Sequence, residues 1–358
     1  MLGVELESYT IQLPEHRISR RLAFPRRGVG EKGERFGRDW SIGTEYNSRP
    51  FRTIREGMFL LKAGLRKYNH GHYRRKSRSR KGRRLLLVGG WRDRFAGAHI
   101  HLSIDGLKLS REVGRSLAWH LHDHIPLLVA MGANSPVWAD ELTDLASTRI
   151  SRASALYFRP IRRAELRARD LDELKLSRGR KTKPPTLELR VMDSNLPEFV
   201  MAAACVVKAA TLGWLAGRPA ANRIPHAAYL ESRDQSARRG MRGKICWNGE
   251  WITAAHYLDR FIWTFREELA EMDIPQEVWD TLKLLKRGYN GARLIAEAAR
   301  LAHAEHPQTW QRRFARRYVA ALDHLLSGNS ILDFARRLHV DVPDPDGIWL
   351  GRRRLRLD

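Results

Sequence analysis

Within Thr186-Leu187-Glu188-Leu189-Arg190-Val191-Met192-Asp193, residues 187–191 alternate apolar side chains with ionisable ones. Residues two apart on an extended strand share a face, so Glu188 and Arg190 stand on one side, Leu187 and Leu189 on the other. Residues 186–192 therefore read as a strand with one apolar and one charged face. The pattern recurs elsewhere. Glu5 and Glu7 lie two apart in residues 2–11, which read as a first strand. His99 and His101 lie two apart in a strand over about 98–104, closed by the turn signal Asp105-Gly106. Asp39, Ser41 and Glu45 have even spacing around a candidate strand at 40–48, and residues 85–88 add a short apolar one. Charged faces on several strands predict a sheet with one side on helices and the other lining a polar site.

Helical spacing separates these strands. Phe51, Ile54, Met58, Leu61, Leu65 and Tyr68 recur at three and four, as do Val113, Leu117, Leu121, Ile125 and Leu128. Pro197 opens a further helix whose stop is Gly217. Residues 14–38 read as a long loop or hairpin, 160–185 as a charged mobile connection, and 219–250 as irregular. From Trp251 the chain reads as mostly helical, with Ile252, Ala255, Leu258, Phe261, Ile262, Phe265 and Leu269 on one face. The expected class is α+β. Residues 1–250 form the expected catalytic core, and 251–358 a mostly helical portion packed on it.

Composition narrows the function classes. The chain has 358 residues, 43% of them hydrophobic, enough for a packed core. No apolar run reaches the roughly 20 residues of a membrane span, and Phe199–Leu215 carries Lys208, which suits a buried helix. The first residues lack a basic, then apolar, leader pattern. With two cysteines, Cys205 and Cys246, a disulfide framework or zinc cluster is excluded, and a cytoplasmic setting is expected. The formal charge of +25 attracts anions: nucleotides, acidic peptides or nucleic acid. An Arg-rich solvated surface accounts for the same number.

Carboxylates and imidazoles converging on one sheet face suit Mg²⁺, which takes carboxylate oxygens together with nucleotide phosphates and water. Interleaved Arg would neutralise phosphoryl oxygens. Taken singly, each pair also fits a plainer role: Glu5 and Glu7 or His99 and His101 on a solvent-facing strand, Glu188 and Arg190 as a surface ion pair, Asp39 as the opening of a turn.

The ordered series Gly3-Val4-Glu5-Leu6-Glu7, Gly97-Ala98-His99-Ile100-His101, Asn134-Ser135-Pro136-Val137-Trp138, Ser147-Thr148-Arg149 and Leu187-Glu188-Leu189-Arg190-Val191-Met192-Asp193 resembles the carboxylate–amine ligases related to glutamate–cysteine ligase type 2. Asp39-Trp40-Ser41-Ile42-Gly43-Thr44-Glu45 with Pro50 is similar to a strand of amidoligases in the same superfamily, and Glu231 with Ala237-Arg238-Arg239-Gly240 adds a weaker likeness. The resemblance spans about residues 1–260. It implies a glutamine-synthetase-like fold, a curved antiparallel sheet holding ATP and Mg²⁺. ATP would phosphorylate a carboxylate, and an amine would attack the acyl phosphate. By the same resemblance, Glu5, Glu7, Glu45 and Glu188 are metal ligands, with one of His99 and His101, His99 being favoured. Arg190 meets the transferring phosphoryl group. Arg149 and Arg238 contact phosphate or substrate carboxylate, and Ser41 contributes to the nucleotide site. The implied substrate is a small amino acid or an acidic peptide.

Two other readings stand beside this one: a nucleic-acid-binding protein on a ligase scaffold, and a phosphotransferase of the same fold. The densest basic run, Arg74 to Arg84, reads as a solvated loop able to capture anions; Tyr73 alone makes no stacking platform. His120, His122 and His124 lack a matching third ligand and read as polar helix residues. Cys205 reads as an inert core thiol and Cys246 as a candidate exposed one. Ser135-Pro136-Val137-Trp138 reads as a turn packed beside the site.

Overall fold

The structure, a computed structural model, describes residues 1–19, 33–39, 42–70, 82–163, 165, 171–177, 179 and 184–351, with backbone alone for 154–157. In chain order the strands are β1 Leu2–Glu7, β2 Tyr9–Gln12, β3 Arg17–Ser19, β4 Arg35–Gly37, β5 Glu45–Asn47, β6 Arg83–Leu86, β7 Gly97–Leu102, β8 Val137–Trp138, β9 Glu141–Leu142, β10 Leu174–Ser177, β11 Thr186–Asp193, β12 Lys244–Trp247 and β13 Glu250–Thr253. The α-helices are α1 Ile54–Asn69, α2 Arg111–His122, α3 Ile125–Gly132, α4 Thr148–Tyr157, α5 Pro197–Leu215, α6 His226–Arg239, α7 Ala254–Thr264, α8 Arg266–Ala270, α9 Gln276–Lys286, α10 Gly291–Glu305, α11 Trp310–Leu325 and α12 Ile331–Arg337.

Six strands form one sheet in the order β10-β11-β7-β1-β5-β4, and every neighbouring pair is antiparallel. This is the α+β class that the alternating strands imply. The apolar face carries Leu2, Val4 and Leu6 from β1, Ala98, Ile100 and Leu102 from β7, and Leu187 and Leu189 from β11, all buried. Helices cover that face. The Tyr46 hydroxyl on β5 donates to the Leu60 carbonyl of α1 at 3.2 Å. Gly132 of α3 lies against Met192 of β11, where a Cβ would come within 2.7 Å of its Cγ. Among the described residues, α5 alone is long and apolar enough to cross a membrane, and most of it is buried inside the protein as a core helix. Its C-terminus matches the expected stop: Gly217 has φ +72° and donates to the Trp214 carbonyl, and Arg218 donates to that of Gly213.

Several sequence expectations are corrected. The strand over 2–11 is two strands, because at Ser8 the chain leaves the large sheet for the three-stranded sheet β3-β2-β6. The helix over 113–128 is two, α2 and α3, broken at Asp123-His124 just before Pro126. Proline cannot donate to the i−4 carbonyl and disfavours helical backbone in the residue before it. Of the strand at 40–48, only β5 is extended among the described residues, while Asp39 accepts the Ile42 N–H at 2.9 Å and so shapes a turn. Residues 14–38 hold β3 and β4, and 160–185 hold β10, an edge strand of the main sheet. The stretch 219–250 contains α6 and most of a hairpin, and β13 precedes the helical remainder. Most of the basic run, residues 74–81, and Ser41 lie outside the described residues; Arg83 and Arg84 belong to β6.

A candidate active site on the charged sheet face

Register assembles the site. In β1, Glu5 lies opposite Asn47 of β5 on one side and His99 of β7 on the other. One step along, Glu7 faces Glu45; in the other direction, His101 faces Gly3 and Glu188 of β11 faces His101. Cross-strand partners project to the same side. Five of the expected residues thereby meet: Glu5, His99, His101, Glu188 and Arg190. His99 Nδ1 lies 3.5 Å from Glu5 and 3.6 Å from Glu188, and His101 Nε2 lies 3.3 Å from Glu5. Arg190 Nε is 3.2 Å from Glu188, whose other oxygen is 3.6 Å from Lys175 Nζ.

Glu5, His99 and Glu188 offer ligand atoms that all lie within 4.8 Å of one another. Ligands sharing a Mg²⁺ at about 2.1 Å stand roughly 3 Å apart when adjacent and about 4.2 Å apart when opposite. The two His99 distances fall in that interval, so the donor set fits a hard divalent ion with one imidazole. Burial lowers the His99 pKa, against the opposing influence of Glu5 and Glu188, which favours the neutral ring that a metal requires. Burial would raise Glu5, but hydrogen bonds with His101 and His99 outweigh it and hold the group well below the ordinary carboxylate range.

Glu7 and Glu45 form a second acidic pair. Burial, then the charge of Asp39, pushes Glu7 up to about 8, although the Gly97 N–H donates to it at 2.6 Å. Burial, then the charge of Glu5, raises Glu45 to about 7, with Asn47 donating to it. Burial and the neighbouring carboxylates outweigh the opposing charges of Arg149 on Glu7 and Arg35 on Glu45.

The remaining expected residues stand differently. Arg149 is buried, with its guanidinium on the Arg190 and Met192 carbonyls at 3.1 and 3.0 Å. Arg238 is more than half exposed on α6 and pairs with Asp234 at 2.7 Å; among the described residues it makes no ion pair with the carboxylates on the sheet. Asn134 and Ser135 serve the fold beside the site: the Asn134 N–H and Ser135 Oγ each donate to Asp193 at 2.7 Å. His122 is a packing residue, stacked on Tyr229 and held by Asp123 and the Ile161 carbonyl, and His124 meets the Tyr257 hydroxyl. Cys205 is buried as expected; Cys246, a candidate for exposure, is buried too.

Sequence reasoning gave no role to Lys175, Asn47 or Asp193. Asn47 had a signal, lying two residues beyond Glu45. Lys175 has none, because the charged stretch 160–185 reads as a mobile connection.

Comparison with known proteins agrees with the resemblance in the sequence motifs. The model of glutamate–cysteine ligase family 2 matches residues 55–155, well under half of the chain. That span contains His99, His101 and Arg149 but none of the carboxylates. No curated protein sequence matches. Among solved structures, the Pup ligase PafA in complex with the prokaryotic ubiquitin-like protein Pup has a TM-score of 0.55 at 11% identity, over 95% of this chain and 78% of that one. PafA in complex with ADP gives 0.53 at 11% identity, over 89% and 78%. A bifunctional glutathione synthetase from Pasteurella multocida gives 0.50 at 10% identity, over 90% of this chain and 52% of that one. At such identities the likeness is one of fold, and this chain has the PafA-like fold.

Proposed function

We propose that this protein is an ATP- and Mg²⁺-dependent carboxylate–amine ligase that forms ADP and an amide through an acyl phosphate. The observation that carries the reading is the meeting of Glu5, His99, Glu188 and Arg190 on one face of the antiparallel sheet. Fold and family-model likenesses to ligases, one of them solved with ADP, add support.

Each residue has a task in this scheme. Glu5, His99 and Glu188 would hold Mg²⁺, with Glu7 and Glu45 completing the acidic floor. Mg²⁺ would neutralise charge on the ATP phosphoryl oxygens and fix their orientation. Glu188 holds the Arg190 guanidinium beside the metal ligands, where it would meet the transferring phosphoryl group. A carboxylate oxygen attacks the γ-phosphorus, the bond to the ADP oxygen breaks, and the acyl phosphate forms. An amine then attacks the acyl carbon, phosphate leaves with that oxygen, and the amine proton passes to solvent. No protein nucleophile is required, which agrees with the burial of both cysteines.

Residues 1–250 would supply this chemistry and 251–358 the helical support, in a cytoplasmic protein. The two portions touch: the Leu87 N–H donates to the Tyr318 hydroxyl of α11, and Trp91 stacks on Phe314. The test is ATP turnover across amino acids and acidic peptides, with mass spectrometry of the products. Amide product with stoichiometric ADP supports the reading. A stable phosphorylated product would make the protein a phosphotransferase. Salt-sensitive nucleic-acid binding indifferent to Glu5 and Glu188, without turnover, would make it a binding protein.

A further inference from the structure

Strand β11 is irregular where it enters the site. Leu189 pairs with Ile100, but the next aligned pair is Met192 with Ala98, so Arg190 and Val191 together oppose His99. Such a bulge shifts the side-chain alternation by one. Glu188 and Arg190 share the charged face before it; after it, Met192 turns to the core against Gly132, and Asp193 aligns with Gly97. The extra residue also removes backbone groups from the ladder, and those groups need partners elsewhere. On the opposite edge the β10 register runs on undisturbed, the Arg190 N–H donating to the Glu173 carbonyl at 2.9 Å. The Arg190 and Met192 carbonyls both accept from Arg149, at 3.1 Å from Nη2 and 3.0 Å from Nη1. One guanidinium thus ties the two ends of the bulge.

The surroundings fix Arg149 in that role. Its side chain is 2% exposed, and its guanidinium carbon sits 3.8 Å over the Phe158 ring centroid. Asp193 lies 3.9 Å away as counter-charge. Gly97 leaves room for it, because a Cβ there would stand 2.5 Å from Nη2. Burial brings the group down to about 10, so it remains charged at neutral pH. A planar fork can serve two carbonyls at once, whereas the ammonium of lysine is a single point.

We infer that Arg149 is a positioning residue, which locks the β11 bulge and through it sets the aim of Arg190 at the phosphoryl group. The lock stands on geometry alone; the aim of Arg190 rests on the proposed ligase function. Two measurements separate them. Hydrogen exchange, read by mass spectrometry over residues 186–193, should be about tenfold faster at Arg190 to Asp193 in Arg149→Lys, with β1 and β7 unchanged. Arg149→Gln, which keeps one amide donor, serves if the lysine variant fails to fold. Unchanged exchange at the bulge overturns the lock whatever the protein catalyses. The second measurement is the affinity for a non-hydrolysable ATP analogue with Mg²⁺, in a cycle with Arg190→Ala. Arg149→Lys should weaken binding about tenfold in the natural background and less than about twofold in Arg190→Ala. Equal factors in both backgrounds overturn action through Arg190. If the natural protein binds no analogue, the ligase reading falls and takes the aim of Arg190 with it, while the exchange result still decides the lock.

Discussion

Glu7 and Glu45 face each other across β1 and β5, with pKa values raised to about 8 and about 7. A carboxyl raised in this way favours the folded state while it is protonated. Its contribution is fully present below the unfolded value near 4.5 and is lost as pH climbs through 7 to 8. Mg²⁺ demands the deprotonated form, so its affinity should rise over the same window. Thermal stabilisation by Mg²⁺ is expected to grow from about pH 6 to 8.5, and Glu7→Gln should flatten that rise; a stabilisation independent of pH would remove the pair from the metal site. Glu5 and Glu188 bear on turnover more directly. Replacing either by Gln would delete an anionic ligand of the proposed Mg²⁺ site while keeping side-chain volume. ATP turnover should fall about 10³-fold, equivalent to about 4 kcal/mol of transition-state stabilisation, in a protein that still folds. Circular dichroism beside an ADP-release assay checks both halves, and full turnover in either folded variant at saturating Mg²⁺ would count against the site.

Elements meet through charges as well as apolar faces. Lys62 of α1 contacts Glu198 of α5 at 2.9 Å and Glu277 of α9 at 2.5 Å, with the Glu198 side chain fully buried. Lys62→Met would strand that carboxylate, and urea unfolding should show a loss of about 3 kcal/mol. Lys62→Met with Glu198→Leu should recover most of it, since an apolar pair replaces a buried ionic one; no recovery would mean that the lysine acts by packing alone. Legibility in the sequence followed the same physics. The strands β1, β7 and β11 were readable because period two survives in them, and α5 because Pro and Gly bracket an apolar run. Helix α6 is not readable, because its buried stripe is Tyr229, Ser232, Arg233, Ser236 and Ala237, largely polar side chains whose partners, such as Glu173 and the Cys246 N–H, lie on other segments. Arg233 there binds Glu173 at 2.8 Å, a partner sixty positions away. The bulge in β11 shows in the sequence only as the adjacent apolar pair Val191-Met192, a break in alternation that the end of a strand would also give. Arg149 was singled out by motif, but its partners are backbone carbonyls, which side-chain spacing cannot reveal.

At the scale of the molecule, a formal charge of +25 should gather anions around the site. Neutralising Arg74, Arg75, Lys76, Arg78, Arg80 and Lys81, while keeping Arg84 near Asp323 at 3.6 Å, should raise KM for an acidic substrate about tenfold and spare kcat. Added salt should mimic the change by screening. A fall in kcat at saturating substrate with KM unchanged would instead place the run within the chemistry. The central claim concerns the carboxylate oxygen. In an acyl-phosphate route that oxygen leaves on phosphate when the amine attacks, whereas adenylation would send it to AMP. The decisive measurement is turnover of an ¹⁸O-carboxylate substrate with isotope analysis of the released phosphate. One label per phosphate, with ADP as the nucleotide product, is the predicted result; label-free phosphate beside the amide, or AMP and pyrophosphate, would contradict it.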